Sequence, residues 1–315
     1  MKLSLVATLY QSARHLEEFH RRIGVSAQKL AGDDYEIILV NDGSPDQSMD
    51  FALLICEADP HVVLVDLSRN FGHHKAMMAG LKYARGEMIF LIDSDLEEEP
   101  EWLVAFAEQL DRDRCDVVYG IQKQRKGGMF ERLSGRWFYI AFRALTGLAL
   151  PENAVTARLM TRRYVDALLC HDEREIMIAG LWFITGFDQH AQPITKKSLS
   201  PTTYTLRRKV SILVNSVTSF SNAPLVGIFY SGIFILILAG IYTAYLIFHW
   251  LSRATPPSGW TSVMASLWLL GGLIISFIGV VGIYLSKIFS ETKRRPNTII
   301  RQVYGPGFKP HSPSR

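Results

Sequence analysis

The chain has 315 residues, 48% hydrophobic and 20% charged, with a net charge of +4. It shows no internal repeat or low-complexity tract, and its three cysteines, Cys56, Cys115 and Cys170, lie too far apart for a metal-binding pattern and suit a reducing compartment. The charge is unevenly spread: residues 1–199 carry 23 basic and 29 acidic side chains, whereas residues from 200 onward carry eleven basic ones against the single acid Glu291.

Taken in chain order, the first half reads strand, helix, strand, helix. Leu3 to Leu9 is a buried-type strand followed by Tyr10, Gln11 and Ser12, and Glu36 to Val40 is another followed by Asn41, Asp42, Gly43 and Ser44. A third apolar run in Ile89 to Glu101, IFLIDSDLEEEPE, ends in Asp93, Ser94, Asp95 and Glu97. This pattern predicts an α/β domain with a Rossmann-like, mostly parallel sheet. Ligands of such sheets bind outside the carboxyl ends of the strands, where Asp42, Asp93 and Asp95 would sit. Carboxylates at Asp93, Asp95 and Glu97 can converge on one hard cation, and Mg²⁺ or Mn²⁺ suits an all-oxygen set. MKLSLVATLY at the amino end has strand-like composition and no signal-peptide cleavage pattern.

The domain is expected to span residues 1–200. Residues 201–222 follow as a juxtamembrane helix, with Leu206, Val210, Leu213, Val217 and Phe220 on one stripe and Arg207, Arg208 and Lys209 near its start. Residues 223–286 hold two predicted membrane spans. Leu225 to Phe248 runs 24 residues without a charge and Val263 to Leu285 runs 23, enough to cross a hydrocarbon core of about 30 Å. Residues 287–315 read as a basic tail. Basic residues flank the pair of spans on the domain and tail sides, while only Arg253 lies in the connecting loop. The positive-inside rule then predicts a multi-pass protein of a bacterial-type inner membrane, with domain and tail cytoplasmic and a short external hairpin around Pro256 and Pro257.

The segments VNDGSPDQS, LSRNFGHHKAMMAGLKYARGE and DSDLEEEPE, in that order, resemble family 2 glycosyltransferases of the GT-A fold, and more narrowly the polyprenyl-phosphate glycosyltransferases. The resemblance covers nearly the whole chain. It implies an enzyme that moves a sugar from a nucleotide diphosphate sugar, a UDP-sugar before a GDP-sugar, to undecaprenyl or another polyprenyl phosphate for cell-surface glycans. Catalytic roles fall on Asp93 and Asp95, and the metal on Asp93, Asp95 and Glu97, although the family commonly has Gln where Glu97 stands. Nucleotide-sugar contacts fall on Ala7, Tyr10, Asp42, Asp93 and Ser94, and acceptor-phosphate contacts on Arg125, Arg132, Ser134, Arg136 and Arg158. His73 and His74 read as surface or donor contacts rather than metal ligands. The membrane is an expected partner, a homo-oligomer is possible, and nucleic acid is not expected.

Two departures bear on mechanism. The family's G-D-F-R-L-M is Val155, Thr156, Ala157, Arg158, Leu159, Met160 here, so Thr156 replaces an acid, and the family's S-K-Y is Thr202, Thr203, Tyr204, so a Lys is missing. A hydroxyl acceptor needs a base to take its proton, for which Glu173 and Glu175 are candidates; a phosphate acceptor does not. The alternatives are therefore transfer to a hydroxyl of a lipid-linked glycan, or a catalytically silent nucleotide-binding subunit.

Overall fold

A computed structural model of the protein describes residues 1–122, 140, 142–148, 151, 153–174, 176–196, 206–253, 259–306 and 308. The three foreseen strands form, as β1 (Leu3–Leu9), β2 (Tyr35–Asn41) and β4 (Met88–Asp93), with β3 (Val62–Leu67) beside β2. Their side chains are buried along almost every position, as expected of parallel strands covered on both faces. Helices α1 (Leu16–Ala31), α2 (Ser48–Ala58), α3 (His73–Tyr83) and α4 (Trp102–Asp113) alternate with the strands. Leu16, Phe19 and Ile23 of α1 join Leu103 and Phe106 of α4 in the core under one face of the sheet. On α3, Gly80 lies so close to Val6 and Val40 that a Cβ would meet their methyl groups at 2.5 and 2.8 Å; only glycine lets this helix approach the strands.

Among the described residues the sheet has eight strands, β1 to β4 joined by β5 (Val117–Gln122), β6 (Ala154–Thr161), β7 (Gln189–Ile194) and β8 (Ile300–Tyr304), in the order β7-β5-β6-β4-β1-β2-β3-β8. Strands β4, β1, β2 and β3 are mutually parallel, and the chain order reverses at β1, between β2 and β4. Such a reversal opens a crevice at the carboxyl ends of β1 and β4, where Thr8 pairs with Asp93. Beyond β4 the sheet becomes mixed. β6 (Ala154–Thr161) is antiparallel to both β4 and β5 (Val117–Gln122), and β7 (Gln189–Ile194) adds parallel to β5. Short helices α5 (Arg162–Leu169) and α6 (Ile178–Ile184) connect β6 to β7. The architecture is the GT-A-like α/β core that the motifs imply.

The expected basic tail is partly a strand. β8 (Ile300–Tyr304) pairs antiparallel with β3, and Arg301 donates to Asp66 Oδ2 at 3.2 Å and to the Ser68 carbonyl at 2.7 Å. The chain accordingly divides into two compact units, one of Met1–Tyr139, Ala149–Tyr204 and Arg295–Arg315 and the other of Ile140–Leu148 and Thr205–Arg294. The apolar edge of β3 explains the strand: Val303 and Tyr304 satisfy its backbone groups and cover its side.

The second unit contains α7 (Leu206–Phe220), α8 (Ala223–Arg253) and α9 (Trp260–Thr292). Lys287 of α9 donates to the Asn215 carbonyl and to Ser219 Oγ near the end of α7, at 3.0 and 2.7 Å, and the Tyr284 hydroxyl donates to the Ser221 carbonyl at 2.7 Å. Among the described residues two helices are long and apolar enough to cross a membrane, through stretches at Ala223–Tyr242 and Leu269–Thr292 that bury none of their residues inside the protein.

Candidate active site

The strand ends set the site. Asp93 closes β4 beside Thr8 of β1, and the chain then turns through Leu96, which adopts a left-handed backbone (φ 59°). That turn separates the acidic side chains. Asp95 Oδ1 accepts the Glu97 N–H at 2.9 Å, Glu97 is held by Lys196 at 3.2 Å, and Glu98 is fully buried. Asp93, Asp95 and Glu97 therefore do not converge as a ready-made trio, and among the described residues no group of three or more His, Cys, Asp or Glu side chains is arranged to hold a metal. Lys196, just beyond β7, brings a cation that the sequence reading did not single out.

His73, at the start of α3, completes the crevice. Its Nδ1 lies 3.0 Å from Thr8 Oγ1 and its Nε2 3.1 Å from Asp93 Oδ1. Burial works against the imidazolium, but the Asp93 carboxylate outweighs it and raises the pKa of His73. Burial likewise opposes the Asp93 charge, and His73 overcomes it, so Asp93 titrates below the usual carboxylate range. Asp95 moves the other way, pushed up by burial. His74 bonds the Ile176 carbonyl through Nδ1 at 3.0 Å.

The residues expected at the nucleotide have mixed placements. Tyr10 is exposed at the end of β1, whereas Ala7 is a buried strand residue. Asp42 accepts N–H bonds from Phe71 at 2.7 Å and Gly72 at 3.0 Å, so its carboxylate ties down the loop that opens α3. Its neighbour Gly43 has φ +59° and lies against the backbone of Arg69 and Asn70, where a Cβ would clash at 2.5 Å. Ser94 donates to the Thr8 carbonyl at 2.8 Å and lies 3.0 Å from Ser12 Oγ, locking the ends of β1 and β4 together.

Beside these residues opens a cavity of about 460 Å³, whose lining includes His73, Glu98, Thr156, Arg158, Trp182 and Lys196. Arg158 is buried. Its Nε donates to the Thr156 carbonyl at 3.2 Å, its Nη2 to the Val155 carbonyl at 3.3 Å, and its guanidinium stacks on the Trp182 ring. Burial pushes its pKa down to about 9, which leaves it cationic at neutral pH. Arg125, Arg132, Ser134, Arg136, Glu175 and Thr203 lie outside the described residues.

Glu98, which nothing in the sequence sets apart from its glutamate neighbours, also lines this cavity. Its Oε1 accepts the Thr156 N–H at 3.0 Å and lies 3.7 Å from Lys196 Nζ. Burial, reinforced by the Asp93 charge, pushes its pKa up to about 8. The folded protein thus holds a proton on Glu98 that the unfolded chain releases above its ordinary value of 4.5, so this group's contribution to stability falls as pH rises between these values. The melting temperature of the wild type should accordingly fall relative to that of Glu98→Gln as pH is raised from about 5 to 8. Parallel melting curves across that range would show that Glu98 is ionised in the folded protein.

Residues 5–169 match the family described as glycosyl transferase family 2. The chain belongs to that family. A protein of Mycobacterium tuberculosis (strain CDC 1551 / Oshkosh) is 49% identical over 314 residues, covering 100% of this chain and 92% of that protein. The uncharacterized glycosyltransferase YkcC of Bacillus subtilis (strain 168) is 30% identical, covering 97% and 95%. The bactoprenol glucosyl transferase of Shigella phage SfV is 29% identical, covering 96% of this chain and 98% of that enzyme. This family 2 glycosyltransferase uses a nucleotide sugar as donor, and the crevice at β1 and β4 lies within the matched segment.

A divalent cation fits this donor set in a particular way. Mg²⁺ keeps near-octahedral oxygen coordination and is commonly held by one or two carboxylates together with substrate phosphates. Asp93 and Asp95 supply two such carboxylates at a strand end, while Glu97 is engaged by Lys196. The residues suit a site that the diphosphate itself completes.

Proposed function

We propose that this enzyme is a membrane-anchored, inverting glycosyltransferase that moves a sugar from a UDP-sugar to undecaprenyl or a related polyprenyl phosphate. The observation that carries the reading is the joining, in one chain, of a family 2 catalytic region to two helices with long apolar stretches that bury none of their residues inside the protein. Such helices bring a catalytic crevice to an acceptor that is itself a membrane lipid. The bactoprenol glucosyl transferases support it, because their likeness extends over the helices as well as the catalytic region.

In this reading Asp93 and Asp95 hold Mg²⁺ or Mn²⁺, which neutralises charge on the departing diphosphate. His73 and Lys196 fix the carboxylates around them. Tyr10 offers an exposed ring to the nucleotide, on a bed that Ala7, Asp42 and Ser94 keep rigid. The acceptor phosphate meets Arg125, Arg132, Ser134 and Arg136, with the buried cation of Arg158 adding its field. No carboxylate is required at Thr156, because a phosphate monoester with a second pKa of roughly 6 is already anionic.

Detergent-purified protein incubated with a panel of nucleotide sugars, polyprenyl phosphate and Mg²⁺ or Mn²⁺ should yield a glycosylated lipid phosphate by mass spectrometry. Failure with every donor would overturn the reading.

The orientation is part of the same proposal. Pairing of β8 with β3 keeps residues after α9 with the domain before α8, which calls for an even number of crossings. The Lys/Arg asymmetry puts that shared side in the cytoplasm. A reporter fused after Arg315 should signal from the cytoplasm and one at Pro256 from the external side; an external signal at Arg315 rejects the topology.

A further inference from the structure

We infer that Glu98 and Trp182 bind hydroxyl groups of the transferred sugar and so set which nucleotide sugar the enzyme accepts; this rests on the donor reading above. Two buried polar atoms among the residues lining the cavity, Glu98 Oε2 and Trp182 Nε1, have no hydrogen-bond partner among the described residues. Buried polar groups left unpaired cost stability, so the presence of both in the lining of one cavity points to an occupant that pairs with them.

Their chemistry narrows the occupant. An indole N–H only donates, whereas a carboxyl accepts when ionised and also donates when protonated, so the pair suits hydroxyl groups, which do both. The other walls agree. Met177, Ile178 and Phe183 offer apolar surface to the C–H faces of a sugar ring, and the cavity of about 460 Å³ is of the size used for small ligands. It also adjoins Asp93, through His73, which lines the cavity and lies 3.1 Å from the Asp93 carboxylate.

Both groups are held rigidly. Glu98 is fixed through its other oxygen by the Thr156 N–H, and Lys196 lies 3.7 Å from that same oxygen. Trp182 is pinned by the Arg158 guanidinium on its ring, while its carbonyl accepts bonds from Tyr164 at 2.9 Å and Gln189 at 2.7 Å. A site built to bond a substrate hydroxyl discriminates strongly against analogues that lack it, because its own polar groups are then stranded. Thr156, where the family resemblance leads one to expect an acid, thus contributes its backbone N–H to positioning Glu98.

The test compares binding of UDP, GDP, UDP-glucose, UDP-galactose, UDP-N-acetylglucosamine and GDP-mannose by calorimetry, using the full-length protein with Mn²⁺ and then Glu98→Gln and Trp182→Phe. For the nucleotide sugar that the wild type binds, each variant should lose about tenfold or more in affinity, yet bind the parent nucleoside diphosphate within about twofold of wild type. Monodeoxy analogues should weaken binding to the wild type for the hydroxyls concerned, with no further loss in the matching variant. This arm on the wild type stands even if a variant does not fold. Equal weakening of diphosphate and sugar nucleotide, or indifference of the wild type to every deoxy analogue, overturns the inference alone. Absence of binding by any nucleotide sugar to the wild type overturns the donor reading and this inference with it.

Discussion

Asp95→Asn should lower sugar transfer by about a hundredfold or more while leaving the melting temperature and detergent behaviour close to wild type. Among the described residues Asp95 bonds no group deep in the core; its Oδ1 accepts a local N–H from Glu97, which an amide oxygen can also satisfy. What Asn removes is a negative charge at the position where the diphosphate's cation is proposed to sit. The same change at Asp93 would be harder to interpret, because that carboxylate also pairs with His73. Titrating Mn²⁺ separates the causes: the variant should need far more cation for half-maximal rate. Full activity in Asp95→Asn, or wild-type activity unaffected by excess chelator, would remove the metal from the mechanism.

The parts of this site that were legible in the sequence are those fixed by continuous burial. β1, β2 and β4 are mostly apolar and buried at almost every position, and such a run, covered on both faces, gives way to polar residues where it leaves the sheet. Thr8, Asp42 and Asp93 therefore fall near the carboxyl edge by arithmetic alone. What followed each strand was less legible. Nothing in LEEEPE distinguishes Glu97 from Glu98, since their separation depends on a left-handed backbone at Leu96, a conformation leucine rarely adopts. A run of glutamates before a proline looks like a solvated loop, yet one of them is fully buried.

Long-range pairing was the other blind spot. Lys196 reaches the acidic loop only because β7 adds to β5 at the far side of the sheet, and β5 and β6 insert between β7 and β4. β8 follows two apolar helices and carries Arg301, so in sequence it read as part of a basic tail; its register is set by the exposed edge of β3. Asp42 shows the converse. Its position was foreseen, but not that its carboxylate ties down the loop before α3 through the Phe71 and Gly72 amides.

The acceptor gives the sharpest all-or-none expectation. Polyprenyl phosphate should be glycosylated, and the corresponding polyprenol, identical except for its phosphate, should not react above background. The argument is one of proton inventory. An alcohol must lose a proton as it attacks, and the site offers at Thr156 only a hydroxyl and a backbone N–H, the latter bonded to Glu98. A phosphate monoester brings its own negative charge, so the rate should fall in acid as its second proton binds, near a pKa of roughly 6. Arg158 stays cationic far above that pH, which makes the falling limb a property of the acceptor rather than of the cation. The product should be a sugar phosphodiester labile to mild acid. Efficient use of polyprenol, or an acid-stable glycosidic product, would instead require a base within the crevice and would turn the search to Glu98, a buried carboxyl that accepts the N–H of Thr156, where the family resemblance leads one to expect an acid.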